Sequence, residues 1–94
     1  MEQIIIWESR VEVIQACQAA AAQALKELGL KATITVNAEP PMISRNQLWD
    51  RLPVIEIRGL HWSLHQGKPF TKDQLVKLFR KVLVEEKTMA TEGR

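Results

Sequence analysis

The sequence predicts a single α/β domain whose elements run β-α-β-α-β-β-α. Three observations carry that prediction. An unbroken β-branched and aromatic run, Ile4 to Trp7, stands at the start of the chain. Two stretches, one ending at Gly29 and one beginning at Thr71, carry apolar residues at helical spacing. Between them, Val54 to Gln66 reads as two short strands about a glycine turn. With 94 residues, 46% of them apolar and 26% charged, the chain has the size and composition of one ordinary globular core.

Ile4, Ile5, Ile6 and Trp7 lack any polar alternation, which is the pattern of a strand covered on both faces in the middle of a sheet. Val11, Ile14, Ala21, Leu25 and Leu28 then recur at helical spacing. Ala19 to Ala22 add helix propensity, and Gly29 supplies a stop. The first helix is placed at about residues 10 to 28. Lys31 to Asn37 alternates polar and apolar residues, so it reads as a strand with one wet face, nearer a sheet edge. A right-handed crossover sets it parallel to the first strand.

Pro40-Pro41 reads as a turn, because proline neither continues a strand nor sits inside a helix. A short helix is expected over roughly 44 to 51, with Ser44 as its cap and Leu48, Trp49 and Leu52 on its apolar side. Val54 to Arg58 and His61 to Gln66 form an antiparallel hairpin turning at Gly59-Leu60. Thr71-Lys72-Asp73-Gln74 has the form of a capping box, and Leu75, Leu78, Phe79 and Val82 follow as a helical stripe over about 72 to 86. The expected domain is therefore 1–86, with a frayed tail at 87–94.

Charge and cysteine usage narrow the function classes. The formal charge is +2, and basic residues are scattered from Arg10 to Arg94 rather than gathered into the stripe that nucleic acid requires. Cys17 is the single cysteine, so no internal disulfide forms, and the opening residues do not read as a signal peptide. A reducing, cytoplasmic setting is expected. No apolar run approaches the roughly 20 residues of a membrane-spanning helix.

The element order, Pro53 directly ahead of the third strand in Leu52-Pro53-Val54-Ile55-Glu56-Ile57, and Gly67-Lys68-Pro69-Phe70-Thr71 before the last helix resemble the thioredoxin and glutaredoxin fold. The likeness covers about residues 3 to 86. It is nearest to the small glutaredoxin-like thioredoxins of archaea and bacteria, which share an opening strand ending in an aromatic residue and a Lys-Glu-Leu-Gly helix end, here Lys26-Glu27-Leu28-Gly29. The resemblance implies a three-layer α/β/α sandwich around a four-stranded mixed sheet. It also implies a reactive mouth at the start of the first helix, where the family's Cys-x-x-Cys falls on Val11-Glu12-Val13-Ile14. Both catalytic thiols are therefore missing. A ferredoxin-like arrangement fits less well, since it needs a final strand after the last helix.

Thiol exchange needs a thiolate at a helix tip, and Cys17 lies about two turns inside the helix, where a small apolar side chain belongs in the core. No catalytic residue, metal site or cofactor is assigned. His61 and His65, if they share a strand, stand about 13 Å apart at 3.3 Å per residue, too far to hold one ion. The mouth residues Glu8, Ser9, Arg10, Leu52 and Pro53 form a candidate site for a small anionic or peptide-like ligand, as related folds hold glutathione. His61, Trp62 and Leu64 on the expected edge strand form a candidate interface for a second copy or a partner protein. The expected function is a non-redox binding or interaction module. The alternative is a thiol-redox or electron-transfer accessory using Cys17 as a lone thiol.

Overall fold

The computed structural model describes residues 2–85, with the side chain of Glu85 left aside. The elements are β1 (Glu2–Trp7), α1 (Val11–Leu28), β2 (Ala32–Asn37), α2 (Pro40–Arg45), β3 (Val54–Ile57), β4 (Leu60–Trp62) and α3 (Lys72–Phe79). The last helix widens into a π-helical stretch over Arg80–Glu85. The strands form one open mixed sheet in the order β2-β1-β3-β4. β1 runs parallel to β2 and antiparallel to β3, and β3 pairs antiparallel with β4.

Two apolar layers account for the unbroken run in β1. Ile4 and Ile6 point to one side with Ile55 and Ile57 of β3. There they meet Val13, Cys17, Ala21 and Leu25 of α1 and Leu75, Val76 and Phe79 of α3. Trp7 points to the other side with Val54, against Ile43 of α2 and Leu48 and Leu52 of the following loop. Successive strand residues face opposite sides, so a strand covered twice carries no polar alternation. β2, at one edge, is only half covered along most of its length.

The end of α1 and the start of α3 follow their sequence signals. Gly29 adopts φ 67°, and the amides of Gly29 and Leu30 close back on Lys26 and Leu25. At the start of α3, the Thr71 hydroxyl accepts from the Gln74 amide at 3.2 Å. The Gln74 side chain accepts from the Thr71 amide at 2.9 Å. The capping box is complete.

The middle of the chain departs from expectation. α2 occupies Pro40–Arg45, not 44 to 51, and the prolines sit in its first turn. The first amides of a helix have no acceptor within it, so proline loses nothing there, and its fixed φ suits the helix. Ser44 is thus inside the helix rather than its cap. Leu48 and Leu52 are buried as expected but reach the core from a loop. The hairpin turns at Arg58-Gly59 rather than Gly59-Leu60. Both turn residues hold positive φ, 56° and 80°, as a two-residue turn between twisted strands requires. Arg58 is anchored across the sheet by an ion pair to Glu2 at 2.6 Å. β4 ends at Trp62, four residues short of the expected strand, so His65 lies in the turn beyond it. The tail at 87–94 lies outside the described residues.

Candidate functional site

The loop between β1 and α1 is built around a buried acid. Glu8 is 1% exposed. Its Oε2 accepts from the amides of Ser9 at 2.9 Å and Arg10 at 3.0 Å, with Arg10 Nε at 3.4 Å. The physical reason is the start of α1. Early helical amides lack acceptors and carry the positive end of the helix dipole, and Arg10, the capping residue, makes no side-chain cap. A carboxylate two residues upstream supplies the missing negative charge. Oε1 of the same carboxylate is buried and has no hydrogen-bond partner among the described residues.

Arg10 reaches away from Glu8 with its other end. Its Nη2 donates to the Gly67 carbonyl at 3.0 Å, while the Gly67 amide donates to the Leu52 carbonyl at 2.9 Å. Three segments remote in sequence are thereby tied together: the loop before α1, the cis Leu52-Pro53 peptide ahead of β3, and the turn after β4. Gly67 holds φ 80°, which a side chain would strain.

An open cleft of about 350 Å³ lies between these segments. Glu8, Ser9 and Arg10 line one wall, Leu52 and Trp49 another, and Gln66 and Gly67 the third. Val11, at the tip of α1, is 63% exposed and does not line it. Of the mouth residues expected from sequence, Glu8, Ser9, Arg10 and Leu52 come together, while Pro53 is buried and does not line the cleft. Trp49, expected on a packed helix face, is 43% exposed and donates from Nε1 to Ser44 Oγ at 2.7 Å. Sequence reasoning missed Trp49, Gln66 and Gly67 as walls. Only Gly67, in a segment already set apart from the strands, carried a signal.

Cys17 is fully buried among Ala20, Ala21 and Ala24. Burial pushes its thiol above the ordinary value of 9.0, the negative Glu8 adds to that, and a backbone hydrogen bond with Phe70 works against both.

The edge residues divide between the two faces of the sheet. Trp62 lies opposite Ile55 on the α3 side. His61 lies opposite Glu56, whose Oε1 accepts from Trp7 Nε1 at 2.8 Å. His61 Nε2 stands 3.2 Å from that oxygen without hydrogen-bond geometry. Leu64, past the strand end, is 57% exposed. Among the described residues no group of three or more His, Cys, Asp and Glu side chains is arranged to hold a metal ion. No helix among them is long and apolar enough to cross a membrane.

No family model, curated protein or solved structure matches this chain. The functional reading therefore rests on the site itself.

Proposed function

We propose that this protein is a non-redox binding module of thioredoxin-like architecture whose cleft at the start of α1 holds a small amino-acid-like or peptide-like ligand. The observation that carries the reading is the Glu8 carboxylate beside a cleft that Glu8 lines, with one oxygen engaged by the loop and the other buried without a donor. A buried acceptor left unmatched costs about 1–3 kcal/mol, and a ligand that shifts the loop enough to bring a donor to Oε1, which is closed to solvent here, recovers it. Arg10 places a guanidinium within two residues of that acceptor, so the fitting ligand carries an N–H donor and an anionic group close together. Small peptides and acidic amino-acid derivatives have that pairing.

The architecture is supported by the strand order β2-β1-β3-β4, by α1 and α3 packing on one face with α2 on the other, and by Pro53 directly ahead of β3. The non-redox reading is supported by Cys17, buried and held protonated, whereas the lone-thiol alternative needs a reachable thiolate.

The test is a thermal-shift screen with glutathione, γ-glutamyl dipeptides and acidic dipeptides, repeated on Glu8→Gln and Arg10→Ala. A ligand at a hundred times its Kd stabilises by about 2.7 kcal/mol, a readily measured rise in Tm. Glu8→Gln removes the charge that meets the start of α1 and Arg10 and leaves a buried NH2 group without an acceptor, so it is expected to lower Tm by a few degrees, with the fold kept, while abolishing the ligand-induced rise. Absence of any rise with the wild-type protein overturns the ligand reading, and reduction of insulin by the protein overturns the non-redox one.

A further inference from the structure

A second hollow, independent of the cleft, lies between β4 and α3. It has a volume of about 280 Å³, and its walls are almost wholly apolar: Trp62 from the sheet edge, Leu64 and Phe70 from the loop that follows, and Leu78 from α3. Lys77 and Lys81 stand on its rim, one helical turn apart. Neither lysine has a carboxylate partner among the described residues. Alongside runs β4, which pairs with β3 on one side and is the last strand of the sheet on the other.

We propose that this groove docks an extended acidic segment of a partner protein, which lies along the open edge of β4, inserts an apolar side chain between Trp62 and Leu78, and sets its carboxylates against Lys77 and Lys81. The argument is one of complementarity. An edge strand offers unpaired backbone groups to an added strand, whose alternate side chains fall on one face and so reach one pocket. Two cations bordering an apolar floor select acidic residues two positions to either side of an apolar anchor, on the anchor's own face. A second copy of this chain fits less well. A two-fold interface presents the same patch from both subunits and so brings both pairs of lysines into one contact, with no acid among the residues that line the groove.

The experiment is a two-dimensional ¹H–¹⁵N NMR titration of the full chain with acetyl-Thr-Glu-Thr-Leu-Thr-Glu-Thr-amide, whose Glu residues share the face of the central Leu, and with the same peptide carrying Lys for Glu. The acidic peptide is expected to give saturable shifts concentrated at Leu60 to Leu64, Lys77, Leu78 and Lys81, with the basic peptide giving none. Lys77→Glu combined with Lys81→Glu, both at exposed positions and therefore folded, is expected to weaken the acidic peptide by about tenfold or more. Glu8→Gln is expected to leave peptide binding unchanged, which separates this site from the cleft. The proposal is overturned by no saturable shift at millimolar peptide or by binding that survives the charge reversal. It is equally overturned by shifts at these residues that grow with protein concentration alone, as self-association gives, or that appear only with anionic lipid vesicles.

Discussion

Cys17 shows how position within a helix decides the chemistry of a side chain. In the unfolded chain its thiol ionises near the ordinary value of 9.0, whereas burial in the folded state raises it. The folded protein thus keeps a proton that the unfolded chain begins to release. The associated stability is complete below the unfolded value and is lost as pH climbs from there through the folded one. Wild type is therefore expected to lose stability relative to Cys17→Ala as pH rises from 9 to 10, with a constant difference between them below about pH 8. Urea midpoints across that range measure it. Lys72, raised above its ordinary 10.5 by its hydrogen bond to Glu27, keeps its charge throughout this window and does not confuse the reading. A difference that stays flat up to pH 10 shows a solvated thiol. The burial of Cys17 was legible because a small apolar residue sat on the apolar stripe of an alanine-rich helix. The burial of Glu8 was not, since an acid just before a helix reads as solvated unless the loop is seen to fold over it.

At the scale of elements, legibility followed the strength of local signals. α1 and α3 carry apolar residues at helical spacing together with identifiable ends, and both start where the sequence places them to within a residue. The capping box is the most local of these signals. Thr71→Ala removes the acceptor for the Gln74 amide and is expected to cost about 1 kcal/mol, seen as a lowered urea midpoint with an unchanged slope. A variant as stable as wild type shows that the box contributes nothing. α2 was misplaced because its prolines mark a helix start and a turn equally well. Nothing local distinguishes the two until Ile43 is seen buried against Trp7 and Val54. β4 was read too long for a related reason. Ser63 to Gln66 alternates like a strand, but the Gly67 amide is committed to Leu52, which pulls that stretch off the sheet edge and into a turn.

For the molecule as a whole, one sheet separates a large apolar layer from a small one. Most of the buried side chains lie on the α1 and α3 side, where Phe79 is fully enclosed by residues from both helices and the sheet. Phe79→Ala is expected to cost about 3–5 kcal/mol, a large share of the roughly 5–15 kcal/mol that holds a domain folded. Thermal melting should show a steep fall in Tm, or no cooperative transition at all. A fall of only a degree or two shows that the layer repacks. The smaller layer has another importance, because it delivers Leu52 to the cleft, beside the exposed Trp49. The frame of that cleft is closed by main chain: Gly67, which has no side chain, gives its amide to Leu52 and its carbonyl to Arg10. Ser9, Trp49 and Gln66 decorate the frame without sustaining those links. A descendant of this protein could exchange all three, and with them its choice of guest, while the doorway kept its width.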